Sequence, residues 1–395
     1  MQDLIWFLLP VAALGGWAAA MHSKNRSGNT PDGLLSPEYL KGLNYLLNEQ
    51  PDKAIDVFAR MLEVTSDTHE THLTLGDQFG KLGIEFRRRG EFDRAIRIHQ
   101  DLVTRKSLGN RQQTEALMEL GLDYLRAGML GHAEELFREL TRNDVYRSRV
   151  LPLLLDIYQQ EKDWGNAVSI AAKMERVGEQ PACAVIAQFY CEMAEEMRHQ
   201  GDAGRTRELL NQALEMDINC ARASIFLGDM EREAGRYDAA LKAYSQVEKQ
   251  DVELLPQVLD AMIACHGKLG STDRLIEYLQ AVISHYNGIT PVLALTDILA
   301  RERGKQEAST FILEQLSKRP SVRGLARFVG LNPAGCDGAE QEIGMILKDL
   351  MDQLQENKPA YKCGECGFSG KTHHWQCPGC RQWNTVKPVH GVEGD

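Results

Sequence analysis

Hydrophobic and polar positions divide the chain into four stretches with different physical characters. Residues Leu4 to Met21 contain no charged side chain across eighteen positions. As a helix they reach roughly 27 Å, enough to cross a thin bilayer. Trp6 and Trp17 lie towards opposite ends, where amphipathic rings favour the interface. From His22 to Ser36 the chain is polar and rich in Gly, Asn, Ser and Pro, a composition that cannot bury enough apolar surface to fold alone. From about 37 to 356 a helical repeat pattern takes over. The last thirty-five residues are short, glycine-rich and crowded with cysteine.

The repeat is defined by a small residue preceded twelve positions earlier by Gly or Leu and nine earlier by an aromatic or long apolar residue. A bulky apolar residue follows four positions later. Clear copies are Gly42, Tyr45, Ala54, Phe58; Gly121, Tyr124, Ala133, Phe137; Leu155, Tyr158, Ala167, Ala171; and Gly228, Ala240, Tyr244. Aligned anchors are Ala54, Ala95, Ala133, Ala167, Thr206, Ala240, Leu275 and Ala308, mostly close to 34 residues apart. This is the tetratricopeptide pattern of paired helices. Each pair has an apolar stripe that a lone hairpin cannot cover, so neighbouring pairs must stack. Turn signals fall at Asn48–Asp52, Arg89–Glu91, Gly128–Gly131, Lys162–Gly165, Gly201–Gly204, Gly235–Asp238, Gly270–Asp273 and Gly304–Glu307. The excess of seven residues around Gly80 to Phe86 is close to two helical turns, which lengthens a helix without rotating its apolar face.

The expected fold is therefore all-α, a tetratricopeptide helical-repeat solenoid. One N-terminal transmembrane helix (residues 1–21) and a flexible linker (22–36) precede the array of about eight hairpins (37–356). A small metal module (361–395) follows. An uncleaved anchor is favoured over a signal peptide because no basic residue precedes the apolar run, whereas Lys24 and Arg26 follow it. By the positive-inside tendency the N-terminus lies outside and the bulk of the chain is cytoplasmic. Fifteen residues of flexible coil span about 20 Å, confining the array close to the inner leaflet.

Charge and cysteine usage narrow the function. The chain has 45 basic and 56 acidic side chains, net −11. The stretch between residues 35 and 361 alone is net −12, with 39 basic and 51 acidic groups. A general nucleic-acid binder needs the opposite balance, and a groove in an acidic array suits a protein segment better. Cys183, Cys191, Cys220, Cys265 and Cys336 are scattered, as free thiols of a reducing compartment would be. Cys363, Cys366, Cys377 and Cys380 instead form C-x2-C-x10-C-x2-C, two short turns whose sulfurs converge on one tetrahedral ion. Gly364, Gly367 and Gly379 suit the positive backbone angles of such turns. Two complete cysteine pairs leave no ligand position for His373 or His374, so the site is structural or redox-active. Four sulfurs suit iron and zinc alike. So small a module needs support beyond its own core, and Tyr361, Phe368, Trp375 and Trp383 surround the cysteines. Only Asn357 to Ala360 connect it to the array, at most about 14 Å, so docking on the solenoid end is expected.

No phosphate loop, nucleophile elbow or dinucleotide turn is present in the sequence. His69-Glu70-Thr71-His72 is one residue short of a zinc-protease motif and opens a repeat helix. His99 stands where the repeat expects a packing residue, which favours an interhelix hydrogen bond over catalysis. The chain is read as a non-enzyme.

The order of anchor, array and four-cysteine module resembles the bacterial lipopolysaccharide assembly protein B family. HLTLG (His72 to Gly76), DRAIRIHQ (Asp93 to Gln100), FYCE (Phe189 to Glu192) and the closing CGF and WQCPGCRQWNTVKP segments carry the resemblance beyond generic repeat code. It implies a rubredoxin-like terminal module with metal ligands Cys363, Cys366, Cys377 and Cys380. Arg381 departs from the glycine usual after the fourth cysteine. The resemblance further implies an inner-membrane regulator of lipopolysaccharide synthesis. Such a regulator acts as an adaptor for the FtsH-type membrane protease, promotes degradation of the deacetylase committed to lipid A, and works among other lipopolysaccharide assembly and transport proteins. A homodimer is left open. The competing classes are a rubredoxin-like electron carrier and a nucleic-acid-binding zinc ribbon.

Overall fold

The computed structural model describes residues 69–105, 108–176, 183–331, 358–391 and 394, with shorter pieces between 40 and 60. Among the described residues no helix is long and apolar enough to cross a membrane. The expected anchor (1–21), the linker (22–36) and the end of the array (332–357, with Cys336) lie outside them. Contacts divide the chain into two compact units, one to Ile157 and one from Tyr158.

In the first unit, helix α1 (His69–Arg88) pairs with α2 (Phe92–Thr104), α3 (Asn110–Arg126) pairs with α4 (Leu130–Leu140), and α5 (Asp144–Glu161) runs into the second unit. The His69-Glu70-Thr71-His72 segment opens α1, whose 20 residues absorb the long second repeat. The second unit continues with α6 (Trp164–Arg176), α7 (Cys183–His199), α8 (Ala203–Met216), α9 (Ala221–Glu233) and α10 (Tyr237–Gln250). After a 3-10 turn (Val252–Leu254) come α11 (Leu255–Leu269), α12 (Thr272–His285), α13 (Thr290–Glu302), α14 (Lys305–Lys318) and α15 (Val322–Leu331). A three-stranded antiparallel sheet closes the chain: β1 (Tyr361–Cys363), β2 (Ser369–Gly370) and β3 (Val386–Pro388), in the order β2-β1-β3. The fold is a helical tetratricopeptide-like repeat solenoid with a small C-terminal ribbon.

All eight sequence anchors are buried, Leu275 being 2% exposed and Ala54, Ala95, Ala133, Ala167, Ala240 and Ala308 fully enclosed. From Ala95 onward each is the fourth residue of the second helix of its hairpin. The reason is a close approach between the two helices. A methyl group on Gly121 would stand 2.5 Å from the Phe137 ring, and one on Gly228 would collide with Tyr244. Gly121→Ala and Gly228→Ala are each expected to destabilise by about 1–3 kcal/mol through overpacking. An earlier urea midpoint reads this; an unchanged one would show that the rings give way.

In six of the seven described hairpin turns the left-handed residue is glycine, as at Gly128 (φ 77°) and Gly201 (φ 83°). Between α5 and α6 the same slot holds Lys162, at φ 57°. A side chain there crowds its own carbonyl, so Lys162→Gly is expected to stabilise by about 0.5–1 kcal/mol net of glycine's greater freedom when unfolded. A rise in melting temperature checks it.

His99 makes the interhelix bond expected of it. Fully buried, its Nδ1 lies 2.5 Å from the Asp123 carboxylate. Arg87 donates to the other Asp123 oxygen at 2.8 Å and to Glu119 at 2.6 Å. These four side chains tie α1, α2 and α3 together within the first unit, each ion balanced by a partner as burial demands.

Candidate metal centre

The two cysteine pairs are built as the same turn used twice, fourteen residues apart. The Cys363 N–H donates to the Phe368 carbonyl at 2.7 Å and the Cys377 N–H to that of Gln382 at 2.9 Å. The Gly367 N–H donates back to Cys363 at 3.1 Å, and the Arg381 N–H to Cys377 at 2.9 Å. Each turn needs one left-handed residue just after its second cysteine: Gly367 (φ 75°) in the first and Arg381 (φ 58°) in the second. Of the three glycines expected at positive angles, only Gly367 takes one. Gly379 matters for room, since a methyl there would press to 3.1 Å from the Cys366 sulfur. The departure at Arg381 thus leaves the turn geometry intact.

The four Sγ atoms lie within 4.8 Å of one another, with Cys363 to Cys380 at 3.8 Å and Cys366 to Cys377 at 3.5 Å. A tetrahedral ion with sulfur bonds of about 2.3 Å requires edges of about 3.8 Å, so these residues fit one metal ion. The Thr385 hydroxyl, 3.3 Å from the Cys363 sulfur, and the Cys366 backbone N–H bring the Cys363 thiol down to about 6. That favours the thiolate at Cys363, whereas burial and the neighbouring sulfurs push the Cys380 thiol up to about 12; a bound ion would hold all four as thiolates, the ligand form. With four protein sulfurs the ion supplies cross-linking and has no open position for substrate. His373 and His374 both pack against aromatic rings, His374 against Phe368 at 6.0 Å. His373 stands edge-on to Tyr361 and Trp375, and burial together with nearby Lys387 pushes its pKa down to about 4.

The ribbon docks within the second unit, and not on the last repeats alone as its short connection suggested. The Trp383 indole N–H donates to Gln159 at 3.1 Å, and its ring meets Trp164 and Phe189 edge-on at 6.2 and 6.1 Å. The Arg222 guanidinium, 2% exposed, is held between the rings of Phe226 (5.3 Å) and Trp375 (5.4 Å). Its nitrogens pair with Glu192 at 2.8 Å and Glu195 at 2.9 Å. Lys387 pairs with Asp251, and the His390 ring stands against Tyr286. First helices α5, α7 and α9, joined by Trp164 at the start of α6 and by Asp251 and Tyr286 in the connections after α10 and α12, therefore form one platform, and the ribbon lies along it. Sequence reasoning missed Gln159 and Arg222. The signal was present for Phe189 and Glu192, in the segment FYCE.

Residues 361–388 match the family model described as rubredoxin metal binding domain, and residues 192–251 match tetratricopeptide repeat. Residues 124–145 also match PPR repeat. Lipopolysaccharide assembly protein B of Escherichia coli (strain K12) is 37% identical over 396 residues, covering 100% of both chains. The protein of that name from Haemophilus influenzae (strain ATCC 51907 / DSM 11121 / KW20 / Rd) is 32% identical over 402 residues, again covering 100% of both. Among solved structures, one titled as the MamA protein is 17% identical, with TM-score 0.30 over 45% of this chain and 93% of that one.

Proposed function

The chain belongs to the lipopolysaccharide assembly protein B family, and from that premise we propose that it is a non-catalytic adaptor anchored in the bacterial inner membrane. In this reading residues 1–21 form the anchor, 22–36 the tether, and the array recruits the committed-step deacetylase of lipid A synthesis to an FtsH-type membrane protease. The observation that carries the reading is the match to these relatives over the whole chain, from the apolar N-terminal run to the four-cysteine ribbon. Cys363, Cys366, Cys377 and Cys380 hold one ion, and the ribbon it cross-links braces the recruiting surface.

Proximity supplies the physical mechanism. A tether of about 20 Å keeps a captured client beside a membrane protease, so the second encounter becomes intramolecular. Effective concentrations then reach the millimolar range without new chemistry. Deleting residues 1–21 is expected to leave a folded protein that no longer lowers deacetylase levels in cells. Normal deacetylase turnover by the shortened form would overturn the tethering role. The metal is either iron, which gives a visible absorption that changes reversibly on reduction, or zinc, which is colourless; a spectrum of the purified protein decides.

A further inference from the structure

Two thiols outside the ribbon stand sulfur to sulfur in the core of the second unit. Cys191 lies in the middle of α7, and Cys220 is the residue that caps the start of α9. Both are fully buried, and their Sγ atoms are 3.7 Å apart. They share one buried cluster with Ala187, Leu209, Leu210 and Ala223. Among the described residues only the four ribbon cysteines gather three or more groups able to hold a metal ion. A lone pair of sulfurs is too few for a closed zinc or iron site, so the chemistry open to Cys191 and Cys220 is that of a dithiol.

The surroundings make the two sulfurs unequal. An Arg222 Nη atom faces the Gln188 side-chain oxygen at 3.5 Å, which turns the Gln188 amide nitrogen towards the Cys220 sulfur, also at 3.5 Å. Cys220 therefore accepts from Gln188, and Cys191 is the thiol that donates to it. Hydrogen bonding from Cys191 brings the Cys220 thiol down although burial opposes it, and the backbone of Ala223 at the head of α9 acts in the same direction. Burial pushes the Cys191 thiol well up. A sulfur with thiolate character beside one that keeps its proton is the arrangement of an attacking cysteine and a resolving one.

We propose that Cys191 and Cys220 form a modification site at which hydrogen peroxide converts the dithiol to a disulfide. Enclosure selects the oxidant, because a molecule near the size of water reaches the pair through small local openings that exclude bulky disulfides. The Cys220 sulfur attacks one peroxide oxygen; an S–O bond forms, the O–O bond breaks, and the second oxygen leaves as water with the Cys220 proton. The Cys191 sulfur then attacks the Cys220 sulfenic acid; the S–S bond forms, the S–O bond breaks, and the hydroxyl leaves as water with the Cys191 proton. Two thiols lose two electrons, and one peroxide becomes two waters. The product ties α7 to the head of α9, the helices that hold Glu192, Glu195 and Arg222 beneath Trp375.

The test treats the purified full chain in detergent with hydrogen peroxide, its ribbon loaded with zinc, which takes no part in redox chemistry. Remaining thiols are blocked with N-ethylmaleimide in acid-quenched samples and the peptides mapped without reductant. The Cys191 and Cys220 thiols are expected to be lost in step and to reappear as one linked peptide, lighter by two hydrogens, which dithiothreitol separates. Exposed Cys183 reports that the oxidant has acted, and the ribbon cysteines report that the fold has persisted. Cys191→Ala removes the resolving thiol, so Cys220 is expected to accumulate as a sulfenic acid that dimedone traps after denaturation. Cys220→Ser keeps a good capping side chain and is expected to leave Cys191 a thiol. Survival of both thiols under peroxide that oxidises Cys183 overturns the proposal, as does a link from Cys220 to Cys183 instead of Cys191. A link confined to chains whose ribbon cysteines are also oxidised overturns it too, since the pair would then be reacting in unfolded protein. Dimedone on Cys191 in the Cys220→Ser chain overturns the assignment of Cys220 as the attacking sulfur.

Discussion

Stripping the metal from the ribbon with a strong chelator is expected to unfold residues 361–388 and release them from the platform. The buried cluster of this module consists of Cys363, Cys377 and Val386, so two of its three members belong to the four-cysteine set that would hold the ion. Without the ion there is almost no core left to hold a three-stranded sheet of two- and three-residue strands. Structural zinc contributes about 10–16 kcal/mol in comparable small modules, and that free energy is folding free energy. Trp375 and Trp383 would leave Arg222, Trp164 and Phe189 for water, shifting tryptophan emission to the red. Amide exchange in α7 and α9, the helices beneath those rings, would rise. Cys363→Ser with Cys377→Ser should reproduce both effects without chelator. Acid acts in the same direction, because four thiolates must take up protons to give up the ion. Unchanged exchange in α7 and α9 after metal loss would show that the platform does not depend on the ribbon.

Arg222→Ala is expected to cost roughly 4 kcal/mol or more and to loosen the ribbon while the metal stays bound. The guanidinium is nearly inaccessible, and removing it leaves Glu192 and Glu195 facing each other without their common cation. Breaking a buried ion pair costs about 3–5 kcal/mol; the lower end applies here because Glu195 is partly exposed and hydrates. Two ring contacts are lost as well, each about 0.5–2 kcal/mol according to its exposure to water. Arg222→Lys is not expected to rescue docking, since an ammonium cannot serve two carboxylates and two ring faces with one plane. A double-mutant cycle with Trp375→Ala should return a coupling of about 1 kcal/mol. Additive losses would mean that Arg222 organises α7 and α9 but does not hold the ribbon.

The repeat array was legible because its code is local. An anchor such as Ala167 or Thr206 reveals itself through spacing to residues a dozen positions away, and stacking reproduces that spacing in every hairpin. Even Leu275, the least typical anchor, occupies the same helical position and is enclosed. His99 was readable for a related reason: a polar residue at a packing position must find a partner, although only the structure identifies Asp123. The four-cysteine set was equally local, with two pairs inside eighteen residues. The backbone within those turns was only partly so: glycine identity pointed to Gly364, Gly367 and Gly379, whereas the left-handed positions are Gly367 and Arg381.

What the sequence by itself determined is the kind of object this is: paired helices repeated along the chain, ended by four sulfurs placed to share an ion. Periodicity and short-range spacing contain that information because the hydrogen bonds and turns that express them close within a few dozen residues. Only the tertiary structure decided where the ribbon lies. Trp383 meets Gln159 across 224 positions, and Arg222 meets Trp375 with no repeat to announce it. Such contacts follow from shape and charge matched between surfaces that exist only after each part has folded.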